Sequence, residues 1–550
     1  MRLHTRQHLA RLSRDRSFLL RTGFVIMAVA CAIGWLVSMF TSAQGMQAML
    51  VSAEGDAGRL GEMLGESQDL NAEQAADWIR KADQVMLKMA LQRSRNAPLD
   101  GLGIDSGGDK KALSLQAPLP MLEKIISEAS KVDASERMLL LNFARALYGE
   151  DEERNRATEN LRQATAMEPA VRFANEFYAD VLMKSEQGDP DKALRHYLRE
   201  ADLFEEAAYA RQHVVRILLL NEDRPGLEKI SADARYQADL DAHSQMRIAT
   251  VLRDWPGLAK AVLKFDYDRS SLGRYLISLF AGAIWLIIIG QFAGFEKRRL
   301  ILYALALVLG VMSASATLFT VVIQEQIRGF TMEGDLMHQL IYCVAGIGLR
   351  EESLKLLFFV PLIPLLKKRP QIDALVAAAI VGLGFAIQEN VGYYQGGGFS
   401  PWARFFTANF FHMAVTGLLG LALVQFVRWP RTRWEELLST FIAAVVLHGL
   451  YDAFYMIPQL LEFSSFAPLL ILSVIAYRFF DIGEHLASSS RRRDLSPLGV
   501  FVVGAALLAG VLMIVSCWGM PFRLALMGFL GSGLSIFPII FIFINRFRDA

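Results

Sequence analysis

The chain has 550 residues, 53% of them hydrophobic, with 57 Lys and Arg against 56 Asp and Glu, for a net charge of +1. Its mean hydropathy of +0.30 is high for a soluble protein, and the charge balance gives no ground for a nucleic-acid partner. The three cysteines, Cys31, Cys343 and Cys517, all lie in apolar runs, so no disulfide framework is implied. The apolar excess is uneven. Residues 42–272 are charged and helical in pattern, whereas residues 273–550 are a string of apolar runs near spanning length, so the composition reads as a polytopic membrane protein with one soluble insert.

Arg2, Arg6, Arg11, Arg14, Arg16 and Arg21 precede or open the apolar run Phe18 to Phe40. That is the pattern of a signal anchor with its N-terminus in the cytoplasm. A cleavable signal peptide competes, because Thr41, Ser42 and Ala43 are small, but the apolar core exceeds the usual length of about 7 to 15 residues. Either reading puts the charged segment 42–272 outside the cytoplasm.

Between Ser42 and about Arg274, short amphipathic helices alternate with turn signals. Ala157, Leu161 and Ala164 precede Glu168-Pro169, and the next helix pair, Phe173 to Lys184 and Pro190 to Phe204, repeats the small-residue spacing at Ala193 and Ala201. This matches tetratricopeptide-like repeats, with an irregular helical domain as the alternative. Both imply an interaction surface for an extracytoplasmic protein partner. Leu99 to Lys110, with Gly101, Gly103, Gly107 and Gly108, reads as a flexible loop.

Flanking charges thread the remainder through a lipid bilayer. Spans at Tyr275 to Phe295, Leu300 to Ile323, Leu340 to Leu366, Ile372 to Tyr393, Phe405 to Val427, Leu437 to Ile457, Ala467 to Phe480, Leu498 to Trp518 and Leu524 to Ile544 place Lys297-Arg298-Arg299, Lys367-Lys368-Arg369, Arg428, Arg431, Arg433, Arg491-Arg492-Arg493, Arg546 and Arg548 on one side. The expectation is an all-α fold: about ten spanning helices in a bacterial inner membrane with both termini on the cytoplasmic side, carrying the extracytoplasmic helical domain. The boundaries read as 1–41 for the basic N-terminus and anchor, 42–272 for the outer domain, 273–484 for a core, and 485–550 for a cytoplasmic loop and closing hairpin.

Within this apolar region, Leu349 to Asp452 carries Glu351-Glu352-x-x-Lys355, Phe385-x-x-x-Glu389, His412 and His448-x-x-x-Asp452. Arg350, Glu351, Glu352 and Lys355 would cost roughly 10 to 14 kcal/mol to insert on one helix, more than its aliphatic residues return. Such a helix is stable only when its charged face is paired. Lys355 can reach Glu351 at i,i+4 or Glu352 at i,i+3, while consecutive glutamates point about 100° apart, so one can work while the other orients it. At about 1.5 Å per residue, Glu352, Glu389, His412, His448 and Asp452 lie roughly 12, 4, 8, 9 and 5 residues from the outer end of their helices. Polar residues from four helices reach one level, which scattered structural histidines have little reason to do.

Two chemistries fit. Glu389, His412, His448 and Asp452 offer ligands for a metal such as Zn2+, with a second glutamate as base. Alternatively a buried glutamate activates water directly while histidine stabilises the oxyanion. The four motifs, in this order on successive helices, resemble the PrsW family of intramembrane proteases and, more distantly, the CAAX prenyl protease and bacteriocin-processing group. The resemblance covers about residues 270–480. It implies that Glu351 and Glu352 are paired catalytic glutamates, that Lys355 accompanies them, that Glu389 is the acid of the second motif, and that His412, His448 and Asp452 complete the site. It further implies peptide-bond hydrolysis of a single-pass membrane protein near the outer face, of the kind that clears an anti-sigma factor. A transporter or ion channel using these acids and histidines, and a non-catalytic membrane scaffold, are the competing classes.

Overall fold

The computed structural model describes residues 8, 11–53, 70–82, 119–185, 188–268, 272–393, 401–487, 496–519 and 521–547. The glycine-rich loop expected at 99–110 and the arginine cluster at 491–493 lie outside them. Among the described residues every regular element is helical. The chain divides into two compact units, one of residues 1–42 with 254–550, the other of residues 43–253.

The unit 43–253 contains the helices Leu119–Glu128, Ala134–Tyr148, Asp151–Ala164, Ala174–Lys184, Pro190–Leu203, Ala208–Leu220, Arg224–Ser231, Ala234–Asp239 and Ala242–Leu252. From Leu119 to Leu220 each packs on the next in sequence order. Local chemistry sets their starts: Asp133 and Glu136 form a reciprocal capping box, while Asp189 and Asp223 cap helices that open with proline in the first turn. Ala193 and Ala201 are fully buried and let the Pro190–Leu203 helix approach its neighbours. Arg80 donates to Asp180 at 2.8 Å and Glu176 at 2.6 Å, and stacks 3.5 Å from the Tyr209 ring, so its buried charge is paired. The Glu200 carboxylate accepts from the backbone N–H of Phe173 and, at 3.2 Å, of Asn175, where the Ala174–Lys184 helix begins. Burial nonetheless pushes the Glu200 carboxyl up to about 7.

In the other unit the principal helices are α1 (Arg16–Ala53, of which residues 43–53 belong to the unit 43–253), α2 (Leu272–Ala293), α3 (Lys297–Val322), α4 (Leu349–Phe359), α5 (Gln371–Tyr393), α6 (Pro401–Arg428), α7 (Pro430–Met456), α8 (Ala467–Ala487), α9 (Pro497–Gly519) and α10 (Phe522–Arg546). Among the described residues, seven helical stretches are long and apolar enough to cross a bilayer: Arg16–Met39, Leu272–Ala293, Lys297–Ile327, Gln371–Tyr393, Arg404–Arg428, Pro430–Met456 and Pro497–Trp518. The chain is a multi-pass membrane protein. The expected span Leu340 to Leu366 is outside this set because it carries its charges in mid-helix. It is also irregular: Tyr342–Gly348 is π-helical, and Pro361 and Pro364, which lack an N–H, accompany a 3-10 turn at Val360–Leu362. Helix α8 is apolar at first but continues through Arg478, Asp481 and Glu484.

Helix α5 is the central post. Ala374 to Val381 are fully buried, and small residues let neighbouring backbones close on it, which is how helices associate where lipid supplies no hydrophobic drive. A Cβ on Gly382 would stand 2.2 Å from the His412 carbonyl, so only glycine allows α5 and α6 this approach. Polar ties fix the register. Ser278 donates to the Ile387 carbonyl at 2.7 Å, the Trp285 indole N–H to the Phe405 carbonyl at 2.8 Å, and Arg299 to Asp373 at 3.0 Å. These hold α2 against α5 and α6, and α3 against the start of α5.

Candidate active site

Seven ionisable side chains from four helices meet where α4, α5, α6 and α7 converge. From α4 come Glu351, Glu352 and Lys355; Glu352 and Lys355 are fully buried. The ammonium of Lys355 lies 3.0 Å from Glu352 Oε1, 3.3 Å from Glu351 Oε2 and 2.9 Å from His412 Nδ1, and sits 3.8 Å from the centre of the Phe385 ring. One lysine therefore reaches both glutamates, as the i,i+3 and i,i+4 spacings require.

The hydrogen bonds fix the roles of both His412 nitrogens and orient His448. An ammonium only donates, so His412 Nδ1 accepts from Lys355, and His412 Nε2–H donates to Glu389 Oε2 at 2.9 Å. Helix α7 supplies His448, whose Nδ1–H donates to Glu352 Oε1 at 2.7 Å. Its Nε2 faces Glu351 Oε2 at 3.5 Å and Asp452 Oδ2 at 3.4 Å, the latter one helical turn along the same face. Each histidine is thus backed by a carboxylate on one nitrogen, while the other faces Lys355 in His412 and Glu351 with Asp452 in His448. Aromatic rings wall it: Phe411 packs edge-on to both imidazoles, and Phe385 lies 5.2 Å from His412.

Glycine again sets the approach. Gly348 and Gly449 face each other's helices, and a Cβ on Gly449 would lie 2.4 Å from Val344 Cα, one on Gly348 2.4 Å from the Val445 carbonyl. The π-helical turn before α4 is therefore pressed on α7, and Glu352 meets His448. A cavity of about 330 Å³ opens onto the cluster, lined by Glu351, Glu389 and Asp452 together with Asp266, Arg350 and Tyr393. Glu351 and Asp452 face this space; Glu352 does not.

All seven residues singled out by spacing fall in this one network. Arg404 belongs to it as well and escaped notice: its guanidinium bonds Glu389 Oε2 at 3.0 Å, Asn390 at 3.2 Å, and stacks 3.7 Å from the Tyr393 ring. Next to a run of aromatic residues at a helix end it reads as a membrane-boundary charge. The signal was its position eight residues before His412, two turns away on the same face.

The donor set suits a divalent metal. Glu351, His412 and His448 each offer one ligand atom, all within 4.8 Å of one another and all buried. Two imidazole nitrogens and a carboxylate oxygen are the ligands of many catalytic zinc sites, and histidine backed by carboxylate is their usual outer arrangement. The Lys355 ammonium lies against two of these donors and is the positive charge that holds them together here. Among the described residues, Glu352 Oε2 is buried without a hydrogen-bond partner.

Residues 296–478 match the PrsW family intramembrane metalloprotease. This segment is similar to that family. It spans α3 to most of α8 and contains every residue of the cluster. No curated protein and no solved structure matches the chain. The match supports protease activity for this segment in general terms, and the α4–α7 network is where its polar chemistry is concentrated.

Proposed function

We propose that the chain is an intramembrane metalloendopeptidase whose site is the cluster of Glu351, Glu352, Lys355, Glu389, Arg404, His412, His448 and Asp452. The observation that carries this reading is the pair of carboxylate-backed histidines. With Glu389 on His412 and Glu352 on His448, the two imidazoles and Glu351 bring ligand atoms within 4.8 Å of one another, and Lys355, here 2.9 Å from His412 Nδ1, would yield that contact to a metal. Glu351, His412 and His448 would hold a zinc ion, which when bound polarises a peptide carbonyl and acidifies water. Asp452 lines the cavity 3.4 Å from His448 Nε2 and is placed to take a proton from the attacking water and return it to the leaving amine. Lys355 balances the two glutamates, and Arg404 steadies Glu389.

A helical substrate offers no free backbone, because its amides are bonded within the helix. The scissile bond therefore lies in an unwound or extended stretch of a membrane-anchored protein, at the outer edge of the bilayer. Regulatory cleavage of a single-pass protein such as an anti-sigma factor fits this requirement. The fully buried aliphatic run Ala374 to Val381 leaves α5 no polar residue with which to carry an ion past the cluster, which speaks against transport. We place the termini in the cytoplasm of a bacterial inner membrane and residues 43–253 outside, where sequential helix packing suits a repeat-like binder of substrate ectodomains. Cysteine labelling at position 107 should be possible from the outside only; access from the cytoplasm alone would reverse the topology.

The test of the function uses the purified full chain and a membrane-anchored peptide library. Cleavage by the wild type, lost in Glu351→Gln, His412→Ala and His448→Ala proteins that still reach the membrane, supports the reading. Full activity in any two of these variants refutes it.

A further inference from the structure

A second cavity, of about 410 Å³, lies between α6, α7 and α8, away from the cavity of the cluster. Its lining changes character along its length. One end is aliphatic, with Leu418 and Leu447; the other carries Gln425, Glu436 and Arg478. The polar end coincides with the basic turn of Arg428, Arg431 and Arg433 between α6 and α7. Arg478 is exposed and has no carboxylate partner among the described residues. Gln425 is more than nine-tenths buried, and its Oε1 has no hydrogen-bond partner among the described residues. Glu436, which also binds Arg433, adds a carboxylate to the same end of the groove. The α8 surface next to the groove is apolar and open, Val474 being 61% and Tyr477 55% exposed, as expected of a face turned to lipid.

We propose that this groove is a binding site for a single phosphatidylethanolamine molecule. Its phosphate meets Arg478, its ammonium donates to Gln425 Oε1 and Glu436, and one acyl chain runs between Leu418 and Leu447 toward the middle of the bilayer. A groove whose lining passes from aliphatic side chains to charged ones suits a lipid, with an apolar chain beneath a charged headgroup, better than the spanning helix of a partner. Charge selects among lipids. A free cation calls for the phosphate, and the unmet acceptor beside a carboxylate calls for a charged N–H donor, which phosphatidylcholine lacks and phosphatidylglycerol replaces with neutral hydroxyls.

The experiment uses the full chain, purified and stripped of lipid in detergent. It is titrated separately with phosphatidylethanolamine, phosphatidylcholine and phosphatidylglycerol, and bound lipid is counted by native mass spectrometry. The expected result is one tightly retained phosphatidylethanolamine, held about tenfold more tightly than either other lipid, the factor that one charge-assisted hydrogen bond supplies. Arg478→Gln should weaken its binding about tenfold, and Ala443→Trp, which fills the groove from an exposed position, should abolish retention, while both variants keep their membrane-inserted fold. Equal retention of the three lipids, preference for phosphatidylglycerol, or unchanged binding in Ala443→Trp would overturn the assignment.

Discussion

His448 Nδ1 lies 2.7 Å from Glu352 Oε1, while the second oxygen of the same carboxylate is buried with no hydrogen-bond partner among the described residues. Glu352 faces inward and holds the imidazole; its neighbour Glu351 faces the cavity. Two adjacent glutamates are thereby given different tasks by nothing more than the 100° turn between consecutive helical residues.

From this division, Glu351→Gln should remove hydrolysis below detection, because it alters the group that faces substrate. Glu352→Gln should reduce it by about 10 to 100-fold, the usual cost of losing a carboxylate behind a ligating histidine. It should also lower thermal stability, since the buried Lys355 loses one of its two carboxylates. Activity and melting temperature measured side by side check both. Equal losses in the two variants would show that the roles are not divided.

Arg404 is expected to matter although it touches no reacting atom. Its ion pair with Glu389 restrains the carboxylate that fixes His412. Arg404→Ala should lower kcat by at least about tenfold with little change in KM, while Arg404→Lys recovers part of the loss. A normal rate in the alanine variant would mean that Glu389 is held without it.

Helix approach gives a third test. Gly449→Ala puts a methyl where Val344 Cα is 2.4 Å away, and must push α7 off the turn preceding α4. A displacement of about 1 Å of His448 from Glu352 would cost on the order of 100-fold in activity. Gly273→Ala, with nothing within 4 Å of its added carbon, is the matched control and should behave as wild type. Normal turnover in Gly449→Ala would contradict the close packing described for α4 and α7.

Outside the membrane, Glu200 predicts a pH dependence. Its carboxyl rises from 4.5 to about 7 on folding. Between those values the native unit holds a proton that the unfolded chain has released, so its stability falls as pH rises through that window, by at most about 3 kcal/mol, and levels off above it. Amide exchange at Phe173 and Asn175 in the full-length protein, corrected for intrinsic rates, should show protection declining from pH 5 to pH 7, in numbers on the order expected for one proton. In Glu200→Gln the slope should vanish. A slope that persists in the variant would assign it to other groups.

Much of this arrangement was legible in the sequence because the bilayer penalises charge so heavily. Glu351, Glu352, Lys355, Glu389, His412, His448 and Asp452 stand out against aliphatic neighbours, and helical spacing alone pairs Lys355 with both glutamates and His448 with Asp452. The contacts between helices were not legible, since they depend on rotations that spacing within one helix does not fix. Hence the sequence could not tell that Glu352 backs His448, that Glu351 rather than Glu389 stands with the two histidines, or that Arg404 turns inward. The π-helical turn at Tyr342–Gly348 was equally hidden, as no residue type marks it.

The central claim, proteolysis by a metal held between Glu351, His412 and His448, is tested most directly by zinc content and turnover in one sample. The purified full chain is assayed on the membrane-anchored peptide library as isolated, after chelation, and after zinc is restored. The account predicts about one zinc per chain, loss of cleavage on chelation, and recovery with zinc, with neither binding nor recovery in His412→Ala. Undiminished cleavage by protein shown to be free of metal would contradict it and leave Glu351, with Lys355 as the site's permanent cation, to activate water alone.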